Sequence, residues 1–134
     1  MSEDFRKDYI VYRIKKSKES YAAAILLAEH KQWNGCVNRL YYACFYIITA
    51  LLSKHLITAK THTGVRAQFG LHFIKKGTVP KEYGEIYATL LDWRNKGDYS
   101  DFFEFEEDSV KPMISAVEVF IQIIEARIAS SDIS

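Results

Sequence analysis

The sequence predicts an all-α protein, an up-and-down helical bundle of four long helices and one short helix. Apolar residues recur three and four positions apart along most of the chain, and no segment shows the apolar–polar alternation of a strand. Six glycines and two prolines in 134 residues are few for a β protein. Hydrophobic residues make up 49% of the chain, enough for the core of a single domain covering residues 1–134.

The first two helices are predicted from their apolar patterns. In the first, the apolar positions are Ile10, Ile14, Tyr21, Ile25 and Ala28. After the break "KQWNG", a second helix is expected from about Cys36 to His55. Its segment "LYYACFYIITALL" is apolar on every side, which is typical of the central helix of a bundle. This run has 13 residues, too few to cross a membrane.

A short third helix follows the connection "LITAKTHTG". Val65, Phe69, His72 and Phe73 mark this helix by their spacing. Thr61 or Thr63 could cap its first turn, because a hydroxyl there accepts a hydrogen bond from a free backbone N–H. The segment "KKGTVP" contains the helix breakers Gly77 and Pro80, so the short helix should end there.

Two long helices complete the predicted bundle. The fourth helix should cover about Lys81 to Lys96, with Gly97 as its terminator. The fifth should run from about Ser109 to Ala129, with Pro112 in its first turn, where a missing N–H costs little. An aromatic and acidic loop, "DYSDFFEFEED", is expected between them.

Charge is unevenly distributed along the chain. The 52 residues from His30 to Lys81 contain no acid, whereas the 11 residues from Asp98 to Asp108 contain six acids and no base. The acid-free stretch carries eight bases: Lys31, Arg39, Lys54, Lys60, Arg66, Lys75, Lys76 and Lys81. Such asymmetry favours a basic face for a partner that bears phosphates. Alternatively, part of the gap is the apolar central helix, where neither sign of charge belongs.

Two arginines interrupt apolar helical patterns. Arg94 lies four residues after Leu90, on the same side of the fourth helix, and Arg39 lies within "VNRLYYACFY". A guanidinium that faces a core is costly unless it is paired, and Asp98 or Asp92 could pair with Arg94. The two arginines either form a cationic pocket between helices or each form a buried ion pair.

Three blocks, "NRLYYACFY", "KTHTGVRAQFGLHFIKKG" and "LLDWRNKGDYSDF", resemble the HEPN domain (higher eukaryotes and prokaryotes nucleotide-binding) from about Tyr9 to Arg127. The resemblance implies a helical bundle that commonly forms homodimers. It also implies a minimal nucleotidyltransferase as partner in a toxin–antitoxin pair. The family's toxins are metal-independent RNases whose motif is an arginine, four to six residues and a histidine, with two motifs meeting in the dimer cleft.

The resemblance assigns Arg94 to the motif arginine and Asn95 to the polar residue that follows it. The motif histidine would fall at Tyr99, Ser100 or Asp101, and no histidine follows His72 in the chain. RNA cleavage without a metal needs a base and an acid, whereas an arginine stays protonated and a tyrosine with a pKa near 10 is a poor base. We therefore expect a catalytically weak or inactive protein, with Arg39, Arg94, Asn95, Asp98, Tyr99 and His62 in the cleft.

The remaining histidines and the cysteines give no metal motif. His62 either lines the cleft of Arg94 or serves as a capping or loop residue. Cys36 and Cys44 lie about 12 Å apart along one helix, too far for a disulfide and typical of a reducing compartment. No pair has the spacing of a metal site, and no phosphate loop is present, so we expect no metal and no cofactor. The N-terminus lacks a signal peptide, which favours a cytoplasmic protein without a membrane segment.

Three functions therefore remain open. The first is an RNA- or nucleotide-binding protein that works with a nucleotidyltransferase partner. The second is an active metal-independent RNase that uses Arg94 with a different proton carrier, such as His62. The third is a structural or protein-interaction module whose aromatic and acidic loop binds another protein.

Overall fold

A computed structural model describes residues 3–99 and 103–130, and these residues form five α-helices and no strand. The helices are α1 (Glu3–Glu29), α2 (Trp33–Lys54), α3 (His62–Phe69), α4 (Lys81–Tyr99) and α5 (Glu107–Ala129). A π-helical turn, Gly70–Ile74, extends α3. The predicted all-α fold of four long helices and one short helix is confirmed.

Helix α2 is the centre of the bundle and packs against each of the other four helices. Its inner residues, among them Leu40, Ile47 and Leu51, are fully buried. By length and composition alone α2 could cross a membrane, but most of it is covered by the rest of the protein, as expected of a core helix. The prediction that this apolar helix is the central one is therefore confirmed.

The α1–α2 interface is built on small polar side chains. Ser17 is fully buried, and its hydroxyl donates to the carbonyl of Ala43 at 2.6 Å. One turn later Ser20 donates to the carbonyl of Arg39 at 2.8 Å. Small residues let the two backbones approach closely, and the hydroxyl protons find acceptors that water would otherwise supply. This close packing fixes the position of α2, which carries part of the site described below.

Helix α3 begins at a capping threonine. The Thr61 side chain accepts a hydrogen bond from the backbone N–H of Gly64 at 2.9 Å, so Thr61, not Thr63, is the cap. The chain leaves the π-helical turn through Gly77, whose φ of +78° is a conformation that other residues rarely adopt. His62 is the first residue of α3, so the cap also fixes the backbone beside that imidazole.

The predicted start of α4 and end of α5 are confirmed, whereas α4 ends three residues after the predicted Lys96 and α5 begins two residues before the predicted Ser109. Helix α4 continues through Gly97 to Tyr99. A β-carbon at position 97 would lie 3.2 Å from a ring carbon of Phe105, so this glycine allows close packing and does not terminate the helix. Helix α5 begins at Glu107, where two acids favour a helix N-terminus, and Pro112 therefore falls in its second turn.

The cysteines agree with the predicted absence of a disulfide. Cys36 and Cys44 are both free and fully buried. Burial raises the pKa of the Cys36 thiol to about 11 and raises that of Cys44 well above its ordinary value. The loop predicted from Asp98 to Asp108 is wrong at both ends, because Asp98 and Tyr99 belong to α4 and Glu107 and Asp108 belong to α5. Residues 100–102 of this segment lie outside the described residues.

Candidate functional site

Arg94 projects from α4 toward α2 and is only 15% exposed. Its Nε lies 3.2 Å from Oδ2 of Asp98, one turn later in the helix, although the N–H is not aligned for a hydrogen bond. Nη1 donates to the side chain of Asn95 at 3.4 Å, and Nη2 donates to the hydroxyl of Tyr42 at 3.1 Å. The other acid considered, Asp92, pairs with Lys96, so Asp98 is the ionic partner of Arg94.

Two tyrosines of α2 form the surface beneath the Arg94 guanidinium. Its central carbon lies 5.6 Å from the Tyr41 ring centre and 5.5 Å from that of Tyr42. The faces of aromatic rings attract cations, which compensates part of the hydration that Arg94 loses on burial. Arg94 is thus stabilised by one carboxylate and two rings.

His62 lies against the same tyrosines. Its ring centre is 5.7 Å from that of Tyr41 and 5.9 Å from that of Tyr42, and it packs 4.6 Å from the Phe45 ring. Arg94 and His62 come from α4 and α3, so tertiary packing across α2 brings these two groups together. We call Arg94, Asp98, Tyr41, Tyr42 and His62 the Arg94 site.

A chain of hydrogen bonds leads from this site into the core. The Tyr41 hydroxyl lies 2.6 Å from Nδ1 of His62 and 3.3 Å from the hydroxyl of Tyr87 on α4. The Tyr41 and Tyr87 rings stack at 5.6 Å. Tyr87 is 1% exposed, so its hydroxyl depends on protein partners.

The surroundings of His62, Tyr41 and Tyr87 favour the neutral form of each side chain. Partial burial and then the nearby positive charge of Arg94 lower the pKa of His62 from its ordinary value. Burial raises the pKa of Tyr41, although the bond from Tyr87 and the charge of Arg94 oppose this change. Burial also raises the pKa of Tyr87, far beyond the physiological range. At neutral pH His62, Tyr41 and Tyr87 are therefore uncharged.

Asparagines of α2 connect the site to the start of α5. Asn38 lies 3.3 Å and 3.4 Å from the two carboxylate oxygens of Asp98. Asn34 donates to the carbonyl of Phe103 at 2.8 Å and accepts from the N–H of Phe105 at 2.9 Å. These contacts fix the last turn of α4 and the segment that precedes α5.

The sequence analysis also assigned Arg39, Asn95 and Tyr99 to the cleft of Arg94. Arg39 is exposed on α2, so the expectation that it is embedded among apolar side chains is wrong. Asn95 is exposed and contacts Arg94. Tyr99 is the last residue of α4, and its side chain lies outside the described part of the structure. Sequence reasoning gave no individual role to Tyr41, Tyr42, Tyr87 or Asn38, although the "YY" of "NRLYYACFY" was visible.

The basic residues of the acid-free stretch are mostly exposed, but not all are available to a ligand. Lys54 is the exception, because it donates to the carbonyls of Ile128 and Ser130 at the end of α5. Lys81 is exposed and lies 3.9 Å from Glu85. Lys60, Arg66, Lys75 and Lys76 are exposed.

Within residues 3–99 and 103–130, no group of three or more metal-ligating side chains is positioned to hold an ion.

Comparison with known proteins gives a consistent family assignment. A family model described as "HEPN domain" matches residues 10–127. A Thermotoga maritima protein named "UPF0332 protein" is 38% identical over 120 residues, covering 90% of this chain and 91% of that protein. "Putative toxin MJ0605" of Methanocaldococcus jannaschii is 33% identical over 125 residues, covering 93% and 92%. "Putative toxin MJ0142" of the same organism is 27% identical over 120 residues, covering 90% and 82%.

Proposed function

Because the chain belongs to the HEPN domain family, we propose that it is a single-domain, toxin-type member that binds RNA or a nucleotide at the Arg94 site. The observation that supports this proposal concerns the N–H groups of the Arg94 guanidinium. Nη1 and Nη2 each use one N–H within the protein, on Asn95 and Tyr42, and each has a second N–H. The Arg94 side chain is 15% exposed, and in this proposal these second N–H groups are the donors to a phosphate.

The tyrosines support a nucleic-acid ligand over a bare anion. Tyr42 is half-buried beside the guanidinium, and the ring of Tyr46 lies 5.9 Å from it along α2. Unpaired bases stack on aromatic side chains whatever their sequence, whereas paired bases cannot. We therefore expect single-stranded RNA to bind more tightly than a duplex of the same length.

Weak or absent catalysis is the expected consequence of the missing motif histidine. Arg94 can stabilise negative charge on phosphorus, but it cannot exchange protons at neutral pH. Without this catalysis the protein would bind RNA or a nucleotide and not cleave it.

An active metal-independent RNase is the second candidate, because one observation favours it. His62 shares the rings of Tyr41 and Tyr42 with Arg94, and an imidazole is the usual proton carrier in such reactions. In this mechanism Arg94 would stabilise the pentacoordinate phosphate and His62 would move the proton. Both side chains would then be essential for cleavage.

The proposed partners are an antitoxin, specifically a minimal nucleotidyltransferase, and a second copy of this chain. The toxin names of two relatives support an antitoxin, and the family resemblance supports the transferase and the homodimer. Sedimentation of the purified protein tests the homodimer, and co-purification with the product of an adjacent transferase gene tests the partner. We propose that the complex acts in the cytoplasm.

One assay distinguishes binding from cleavage. Labelled single-stranded RNA is incubated in EDTA with the wild type, Arg94→Ala and Arg94→Lys, and both binding and cleavage are read from the same samples. Lys111→Ala is the control, because it removes one positive charge from α5 next to Glu107. The proposal predicts intact RNA and wild-type binding that weakens with salt. Arg94→Ala should bind at least tenfold more weakly, Arg94→Lys should recover part of the loss, and Lys111→Ala should match the wild type.

The alternatives give different results in the same samples. Cleavage by the wild type that is lost in Arg94→Ala would establish the RNase. Equal binding by the wild type and Arg94→Ala would exclude the Arg94 site as the RNA-binding site. If the wild type neither binds nor cleaves RNA at low salt, the protein-interaction module becomes the leading hypothesis.

A further inference from the structure

We infer that Tyr87 and Tyr41 hold His62 as a neutral imidazole whose Nε2–H donates a hydrogen bond to a phosphate oxygen at the Arg94 site. His62 would then be a binding residue and not a general base, and the two tyrosines would be positioning residues. The phosphate part of this inference rests on the proposed function. The protonation state of His62 can be decided without any ligand.

The first step is the direction of the hydrogen bonds. Each tyrosine hydroxyl has one proton, and the Tyr41 oxygen lies between the Tyr87 hydroxyl at 3.3 Å and Nδ1 of His62 at 2.6 Å. The proton of Tyr41 therefore points either to Tyr87 or to His62. If it pointed to Tyr87, Nδ1 of His62 would have to carry a proton and donate it to Tyr41.

The second step is the free-energy cost of a Tyr41 proton that points to Tyr87. Among the described residues, the Tyr87 hydroxyl has Tyr41 as its hydrogen-bond partner, and Tyr87 is almost completely buried. If Tyr41 donated to Tyr87, the proton of Tyr87 would have no acceptor, and an unpaired buried donor costs about 1–3 kcal/mol. The order Tyr87 to Tyr41 to His62 satisfies both hydroxyl protons. In this order Nδ1 accepts, so the proton of a neutral His62 is on Nε2.

The third step concerns the charge of His62. A second proton on Nδ1 would break the hydrogen bond that Tyr41 donates and would add a cation beside Arg94. The positive charge of Arg94 and partial burial both lower the pKa of His62, in agreement with the neutral form. Among the described residues, the rings in contact with the imidazole are those of Tyr41, Tyr42 and Phe45, and none of them carries a negative charge that would stabilise the imidazolium.

The fourth step is the access of a ligand to Nε2. His62 is half-exposed, and no protein group among the described residues hydrogen-bonds to Nε2. Nε2 is also absent from the buried atoms without a partner, so it reaches solvent. Nε2–H and the second N–H groups of Arg94 would provide donors from two helices, on side chains that both contact Tyr41 and Tyr42. A phosphate group, with several acceptor oxygens, matches such a pair of donors.

The first experiment is a two-bond ¹H–¹⁵N correlation spectrum of the ¹⁵N-histidine-labelled full chain at pH 7.5, with His62 assigned by its loss in His62→Gln. The pattern of a neutral ring with its proton on Nε2 is expected. Tyr41→Phe should give a mixture of the two neutral forms, whereas Tyr46→Phe should leave the pattern unchanged. A proton on Nδ1, or a doubly protonated ring, in the wild type would overturn the inference whether or not the Tyr41 variant folds.

The second experiment uses two substitutions of His62 with a labelled single-stranded RNA. Glutamine places an amide N–H near the position of Nε2 and cannot act as a base, whereas leucine provides neither function. His62→Gln should bind within about twofold of the wild type and His62→Leu about tenfold more weakly, as expected for one hydrogen bond to a charged group. If both variants bind as the wild type does, or both lose binding equally, His62 is not a donor.

The two proposals fail in different ways. If the wild type itself does not bind RNA, RNA binding as the proposed function and an RNA phosphate as the acceptor of His62 fail together, while the ¹⁵N spectrum still decides the protonation of His62. If the wild type binds and Arg94→Ala does not, but His62→Leu binds normally, the proposed function stands and the inference about His62 fails.

Discussion

Arg94 of α4 donates from Nη2 to the hydroxyl of Tyr42 of α2 at 3.1 Å, and its guanidinium lies 5.5 Å from the centre of the same ring. One tyrosine therefore contacts the arginine through both its polar end and its aromatic face. This double contact joins the two helices that carry most of the Arg94 site. It also holds the guanidinium against α2, with the Arg94 side chain 15% exposed.

Tyr42→Phe should lower the free energy of unfolding by about 1 kcal/mol. The substitution removes a hydrogen bond to a charged, partly buried group but keeps the ring beneath the guanidinium. The matched control is Tyr46→Phe, because the Tyr46 ring contacts Arg13 and its hydroxyl has no hydrogen bond among the described residues. Urea unfolding of both variants is the measurement. Equal effects of the two substitutions would show that the Tyr42 hydroxyl contributes nothing specific.

Thr61→Ala should cost about 1 kcal/mol of stability, the usual cost of removing an N-terminal helix cap. The Thr61 hydroxyl accepts from the N–H of Gly64, and alanine cannot replace it. Thr63→Ala, two residues later on the exposed side of α3, should change stability by less than about 0.5 kcal/mol. Thermal unfolding compares the pair, and the opposite order would assign the cap to Thr63.

Gly77→Ala and Gly70→Ala should have opposite effects. Gly77 has a φ of +78°, so a β-carbon there costs about 1–2 kcal/mol. Gly70 has helical angles of −60° and −47°, and a β-carbon there would meet nothing within 4 Å. Alanine at position 70 should therefore stabilise the protein by about 0.5–1 kcal/mol. Urea denaturation of the two single variants tests both signs, and two destabilised variants would contradict the prediction for Gly70.

The sequence predicted the fold well because apolar spacing reports directly on helices, but it located helix ends less well. Glycine commonly terminates helices, but Gly97 has a different role that depends on Phe105. A β-carbon at position 97 would lie 3.2 Å from the Phe105 ring. That contact is absent from any local pattern. Pro112 was placed in a first turn because the two acids at the start of α5 were assigned to the preceding loop.

The site was predictable only where its contacts are local. The Arg94–Asp98 pair follows from a four-residue spacing within one helix. The proximity of His62 to Arg94 depends on the packing of α3 and α4 across α2, so the sequence left two roles for His62 open. Arg39 was misjudged because α2 is so apolar that its spacing does not reveal which side faces solvent.

Cys36 and Cys44 should resist alkylation in the native protein at pH 8. Both are fully buried, and burial raises the pKa of the Cys36 thiol to about 11, so little reactive thiolate forms. Labelling with iodoacetamide, followed by mass spectrometry, should show both thiols unmodified until urea unfolds the chain. Thr63→Cys provides an exposed thiol as a positive control. Rapid labelling of Cys36 in the native state would contradict its burial.

Titration of His62 should make the folded protein more stable as the pH rises. Its pKa is lowered in the folded state, from an ordinary value of 6.5, by burial and by Arg94. Between the two pKa values the unfolded chain binds more protons at this position than the folded protein does. Stability must therefore rise with pH across that interval, become constant above about pH 6.5, and be lost on acidification.

Comparison with His62→Gln isolates this contribution, because the other three histidines are common to both proteins and their effects cancel in the difference. The unfolding free energy of the wild type minus that of His62→Gln should increase as the pH is raised from 4.5 to 7.5, as measured by urea denaturation at several pH values. In the Arg94→Ala background the increase should be smaller, because one of the two causes of the lowered pKa is gone. A difference that is constant with pH would show that His62 titrates alike in both states. A difference that falls as the pH rises would mean that the folded protein stabilises the imidazolium, and Nδ1 would then donate to Tyr41.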